Sequence, residues 1–316
     1  MKMRPLGKTG LQIAPLVLGG NVFGWTIDEG TSFNLLDGFV DAGLNAIDTA
    51  DVYSAWADGN KGGESETIIG NWLKANPGMR EKVLIFTKVG LDMGRDKKGL
   101  STRWIVQAVE DSLRRLQTDR IDLYQSHRPD PTSTYDETLG AYEKLLKTGK
   151  VRAIGASNLT AAQLRDSLRV ASEKSLPRYE TLQPEYNLYD RSGFDGELRE
   201  LAIREGLGVI TYYSLASGFL SGKYRSKEDL SKSKRGAGIT RYLNVRGAAI
   251  LKALDEVAKR NDAKPAEVAL AWLIAREGVT APIASATSRE QLASLVKATC
   301  LTLTAKDIGA LDQASA

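Results

Sequence analysis

Short apolar segments alternate with amphipathic helical ones along the whole of this 316-residue chain. Eight of them read as strands: residues 16–20, 46–49, 83–88, 121–126, 152–157, 181–184, 208–212 and 281–285. The stretches between carry helical period and start signals. Ile105, Val109, Leu113 and Leu116 share one helix face, as do Tyr135, Leu139, Tyr142 and Leu146. Thr134 with Glu137, Thr160 with Gln163 and Ser288 with Gln291 have capping-box spacing. Phe194, Leu198, Leu201 and Ala202 form a stripe that stops at Gly206. Eight strand–helix alternations are the pattern of an α/β chain closed as a (β/α)8 TIM barrel. A single barrel domain over residues 1–316 is therefore expected. Gly7-Lys8-Thr9-Gly10 reads as an N-terminal β-hairpin turn, and residues 53–63 and 213–246 as extended loops at the C-terminal face. The second loop has a basic middle containing Lys223, Arg225, Lys227, Lys232, Lys234 and Arg235.

An open doubly wound sheet would carry Gly-x-Gly-x-x-Gly after its first strand. Here Gly19-Gly20-Asn21-Val22-Phe23-Gly24 does not fit, and Gly218 to Tyr224 lacks the spacing and hydroxyl of a phosphate loop. One histidine and one cysteine exclude a His- or Cys-built metal centre, so no metal is expected. A net charge of +4, dispersed along the chain, predicts neither nucleic-acid nor membrane binding. No apolar run approaches the ~18 residues of a membrane span. Lys2, Arg4 and Lys8 before an apolar stretch imitate a signal peptide, but Gly10, Gln12 and Pro15 interrupt it. A cytoplasmic location is the expectation.

The strands end on chemistry. Asp48, Lys88, His127, Ser157, Gln183, Tyr212 and Ser285 each stand at or just past a strand's C-terminal end, with Tyr53 one loop beyond Asp48. In a barrel those ends share one mouth. A free tyrosine, with a pKa of about 10, is a weak acid at neutral pH. A neighbouring ammonium favours the phenolate and is expected to lower that value, an aspartate would keep the ammonium charged, and a neutral imidazole can orient a carbonyl oxygen. Each residue has a commonplace alternative: Asp48 as a turn cap, Tyr53 as packing, His127 as a core histidine, Lys88 as a solvated or Schiff-base lysine. Their coincidence at one mouth favours proton transfer to a carbonyl as hydride arrives.

These motifs resemble the aldo-keto reductases along almost the whole chain. Ile47-Asp48-Thr49-Ala50-Asp51-Val52-Tyr53, Thr87-Lys88 and Ser126-His127-Arg128-Pro129-Asp130 carry the likeness. The resemblance implies a catalytic tetrad of Asp48, Tyr53, Lys88 and His127, with Tyr53 as general acid, and a nicotinamide bound without a Rossmann fold. It implies NADP(H) ahead of NAD(H). Ser157, Asn158 and Gln183 would meet the carboxamide, and Tyr212 would stack on the ring. Leu215, Ser217 and Lys223 would lie along the pyrophosphate, although Tyr213-Ser214 departs from the family's Ser-Pro. Ser285, Thr287, Arg289 and Gln291 would face the 2′-phosphate, with Arg289 supplying charge where relatives carry Lys and Arg. Trp25 and Trp56, with Tyr242, would wall a pocket for a small carbonyl or sugar substrate. Because the family includes channel-associated β subunits, a cofactor-binding regulatory protein of low turnover is the alternative reading. The sequence sets no oligomeric state.

Overall fold

The computed structural model describes residues 2–94, 96–233 and 236–316, so Lys234 and Arg235 of the basic loop lie outside the described residues. β1 (Arg4–Pro5) and β2 (Gln12–Ile13) form the antiparallel hairpin. Eight further strands close into a parallel barrel: β3 (Val17–Gly19), β4 (Ala46–Asp48), β5 (Leu84–Val89), β6 (Ile121–Ser126), β7 (Val151–Ser157), β8 (Thr181–Gln183), β9 (Gly208–Thr211) and β10 (Ala281–Ala284). They run in chain order around the ring, and β10 pairs with β3 to shut it. Helices α1 (Glu29–Asp41), α2 (Glu64–Ala75), α3 (Thr102–Leu116), α4 (Tyr135–Lys147), α5 (Ala161–Lys174) and α6 (Glu197–Glu205) fill the crossovers up to β9. α7 (Val245–Arg260) and α8 (Pro265–Ala275) precede β10, and α9 (Arg289–Ala298) and α10 (Ala305–Ala314) follow it. This is the expected (β/α)8 barrel.

Apart from Arg152 and half-buried Leu84, the barrel strands are buried on both faces, so period two sorts residues between two cores. Val17, Ala46, Phe86, Leu123, Ala153, Ile210 and Ile283 point inward and pack together. Their neighbours Leu18, Ile47, Ile85, Tyr124, Ile154, Val209 and Ala284 point outward against the helices. Leu6, Leu11 and Ile13 of the hairpin join the inner core, plugging the barrel at the start of its strands. Gly7 turns there with a left-handed φ of 55°, and a Cβ on it would lie 2.5 Å from backbone atoms of Glu180 and Gly208. With one end sealed, the opposite end is the open mouth.

The helix ends agree with the sequence signals except in one half. Thr160 and Gln163 form a reciprocal capping box. Thr134 caps α4, but Glu137 turns away and accepts from the Thr102 amide of the neighbouring helix. At α9 Ser288 accepts from the Gln291 amide, while the Gln291 side chain binds Thr287 instead. Gly206, left-handed, ends α6. Much of the long loop after β9 is three short 3₁₀ segments, Ala216–Ser221, Lys227–Lys232 and Gly236–Tyr242. No helix among the described residues is long and apolar enough to cross a membrane.

Candidate active site

The inward parity that runs through Ala46, Phe86, Leu123, Ala153 and Ile210 continues, two residues at a time, to Asp48, Lys88, Gln125, Ser157 and Tyr212. That parity converts strand position into a shared polar floor. Past β4 the chain turns, and Tyr53 is set by its own backbone. Its amide donates to Ala50 O (3.1 Å), and its carbonyl accepts from Gly63 and Ser65 (2.8 and 3.3 Å). The Glu64 carboxylate gathers the amides of Ser54, Lys61 and Gly62, so the first turn of α2 clamps the loop.

Lys88 Nζ has three donors and meets three acceptors: Asp48 Oδ1 at 2.5 Å, Thr49 O at 2.8 Å and Tyr53 Oη at 3.3 Å. Asp48 Oδ2 accepts from Gln183 Nε2 at 3.0 Å. Asp48 and Lys88 are buried, and the Tyr53 and His127 rings stand edge to face, 6.0 Å apart. Burial pulls the ammonium down, but Asp48 and Tyr53 outweigh it and hold Lys88 above its ordinary value. Burial pushes the Asp48 carboxyl up, and Lys88, Gln183 and Gln125 oppose that shift.

The expected lowering of the Tyr53 pKa is not what the environment produces. Burial raises it, the pull of Lys88 is weaker, and Asp48 works against that pull. Burial is the largest cause, and Asp48 offsets part of the pull that Lys88 exerts on the phenol. Tyr53 is thus held as a protonated donor. His127 is pushed well below its usual value by burial first, then by Lys88 and Arg128. Its imidazole is neutral, and Nδ1 is buried without a hydrogen-bond partner.

A stability consequence follows for His127. Its folded value lies below the unfolded value of about 6.5, so the unfolded chain binds more protons through that window. The contribution is fully present above about pH 6.5 and lost as pH falls toward the folded value, with a slope of at most about 1.4 kcal/mol per pH unit. Urea unfolding of wild type and His127→Gln from about pH 5 to about pH 7 should show a steeper acid-side loss in wild type. Parallel curves would mean that His127 is not held neutral.

Above this floor lies a cavity of about 1130 Å³. Asp48, Tyr53 and His127 line it, and Lys88 lies sealed beneath. Ser157, Asn158, Gln183 and Tyr212 form one wall. Asn158 takes a left-handed φ of 62° that asparagine tolerates. Its amide donates to His127 O and Ser157 Oγ, and its oxygen accepts from Tyr212 Oη at 2.6 Å. Ser157 Oγ donates to Gln183 O. These bonds fix the Tyr212 ring beside the imidazole strand.

Leu215, Ser217 and Lys223 follow along the cavity, on a loop where Tyr213, Ala216 and Ser217 all have positive φ. Ser285, Thr287 and Gln291 line the far arm. Arg289 does not. Its guanidinium lies along α1, so close to Gly38 that a Cβ there would sit 1.9 Å from it. The arm's cation is instead Lys264, which lines the cavity and pairs with Glu290 at 2.9 Å. Trp25 and Trp56 both line the mouth, edge to face at 5.7 Å, and Tyr53 meets Trp56 at 5.4 Å. Tyr242 is buried against Phe219 and Tyr189 and is absent from the wall.

Sequence reasoning passes over three contributors. Gln125, buried beside Gln183 and Asp48, is legible from strand parity. Asn21, which accepts from Ser285 Oγ at 2.6 Å, and Lys264 have no local signal, because their partners lie far along the chain.

A family model described as "Aldo/keto reductase family" matches residues 15–316. The chain is 35% identical over 309 residues to "Uncharacterized oxidoreductase YrpG" of Bacillus subtilis (strain 168), covering 96% of this chain and 92% of the relative. It is 33% identical over 328 residues to "Protein tas" of Escherichia coli (strain K12), covering 96% and 94%. It is 32% identical over 309 residues to "Probable voltage-gated potassium channel subunit beta" of Oryza sativa subsp. japonica, covering 94% and 91%. The family model covers almost the whole chain, barrel included, and the protein belongs to the aldo/keto reductase family.

Proposed function

We propose that this protein reduces an aldehyde or ketone to an alcohol, or runs the reverse oxidation, by hydride transfer with NADP(H). The observation that carries the reading is the Lys88 ammonium, bound at once to Asp48, Thr49 O and the Tyr53 hydroxyl beneath an open cavity. The cavity exceeds the ~300–1,000 Å³ that typically houses one drug-sized ligand, which suits a dinucleotide with a substrate. Ser157, Asn158, Gln183 and Tyr212 would hold the nicotinamide end. Leu215, Ser217 and Lys223 would follow the pyrophosphate. Ser285, Thr287, Gln291 and, in place of Arg289, Lys264 would meet the adenosine phosphate near the α9 N-terminus.

When bound, the nicotinamide supplies the hydride to the carbonyl carbon. Tyr53 gives its hydroxyl proton to the carbonyl oxygen, and the phenolate left behind is stabilised by the ammonium 3.3 Å away. Asp48 keeps that ammonium charged and still. The neutral His127 imidazole orients the oxygen without competing as an acid. In oxidation, Tyr53 must first lose its proton, which its raised pKa disfavours at neutral pH, before the phenolate takes the alcohol proton.

Fluorescence titration with NADPH and NADH tests the cofactor assignment. We expect saturable quenching by both, with NADPH at least about tenfold tighter, the size of one charge-assisted contact. Equal affinities would remove the 2′-phosphate assignment. Binding of neither would overturn the reductase reading and direct attention to borohydride trapping of Lys88. Turnover with bound cofactor separates this reading from a low-turnover regulatory protein; the rice relative is named as a probable channel subunit.

A further inference from the structure

Arg128 follows His127 directly and lines the same cavity, yet the proposed chemistry gives it no work. It is exposed on the cavity wall, and its charge is felt by His127 and by the Tyr212 hydroxyl. It forms no ion pair or hydrogen bond with any described residue. The nearby acids are engaged elsewhere. Asp130 accepts from the amides of Leu100 and Thr132 and from the Ser133 hydroxyl. Glu185, also on the cavity wall, is paired with Arg241 at 3.0 Å, and Arg241 also holds Asp190. The other described cations on the wall are occupied: Lys223 lies over the Tyr224 ring and Lys264 pairs with Glu290. Lys88 is sealed below with Asp48.

We propose that Arg128 selects carbonyl substrates that carry a carboxylate, binding it while the carbonyl sits over Tyr53 and His127. This rests on the reductase reading of the site. A guanidinium is always charged, weakly hydrated and shaped as a fork that matches a carboxylate with two parallel hydrogen bonds. One fork with no second free cation beside it suits a singly charged carboxylate better than a dianionic phosphate. The aromatic side chains that line the same cavity set the rest of the substrate. Trp25 and Trp56 meet edge to face above Tyr53, and half-exposed Tyr213 lines the same mouth, so the group between carbonyl and carboxylate is apolar and flat. An aryl aldehyde with a ring carboxylate has that form.

The test uses 4-carboxybenzaldehyde and its methyl ester, compared in wild type, Arg128→Gln and Arg128→Lys. Arg128 is exposed and unpaired, so its replacement leaves the fold's own contacts untouched. In wild type the acid should be preferred over the ester in kcat/KM. In Arg128→Gln that preference should fall by roughly twentyfold, carried mainly by KM, with Lys recovering part of it. An unchanged preference ratio would overturn the proposal, as would equal losses for acid and ester. A second readout needs no turnover: quenching of tryptophan fluorescence by 4-(hydroxymethyl)benzoate. Binding to wild type that weakens about tenfold or more in Arg128→Gln supports the carboxylate site even if no aldehyde is reduced, in which case only the reductase reading falls. Equal binding to both proteins, or binding to neither, overturns the carboxylate site whatever the turnover.

Discussion

Tyr53→Phe should lower kcat for carbonyl reduction by about 10²–10⁴-fold, the range that one positioned general acid contributes. Cofactor affinity should stay within about threefold, because the substitution removes one oxygen and no wall. The phenyl ring keeps its contact with Trp56 and with the Lys88 ammonium, which sits 4.9 Å from the ring centre. What disappears is the proton and the hydroxyl 3.3 Å from Nζ. Steady-state kinetics beside a fluorescence titration would separate the two effects. Retained turnover would remove Tyr53 as the acid. The raised pKa of the free protein does not oppose the role, since a donor must hold its proton until the carbonyl oxygen develops charge. It does mean that the site lacks a free phenolate at neutral pH.

Lys88→Met should remove turnover and destabilise the fold together. Asp48 is buried, and without the ammonium it keeps only the Gln183 amide and its neighbour Gln125. Breaking one side of a buried ion pair typically costs about 3–5 kcal/mol, because a buried charge is left alone. Thr49 O loses its partner as well. The double variant Asp48→Asn with Lys88→Met should recover much of that stability, since both charges leave, while turnover stays lost. Urea unfolding of the single and double variants with activity assays would decide it. A stable, active Lys88→Met protein would show that the ammonium is dispensable to both the fold and the chemistry.

Three members of the proposed tetrad are legible in the amino-acid sequence because they depend on strand ends and on period two, whereas Tyr53 lies on a loop. Asp48, Lys88 and His127 each lie at a strand end, and the same parity places Gln125, Ser157 and Tyr212 beside them. The direction of the Tyr53 shift is not legible there. Local chemistry puts a lysine near a phenol, but how far Asp48 cancels that lysine depends on burial and on the distances within the cluster. Arg289 shows the same limit. A cation in the first turn of a capped helix reads as an anion contact, yet its long side chain reaches the surface of α1 beside Gly38.

Periodicity and spacing alone determined the barrel, its hairpin and the strand ends that face the mouth, because these follow from hydrophobic alternation along the chain. The tertiary structure alone decided which partners meet across it. Asn21 with Ser285 and Lys264 with Glu290 are pairs separated by long stretches of chain. Their pairing is set by how helices and loops pack over the closed ring, which no local pattern encodes.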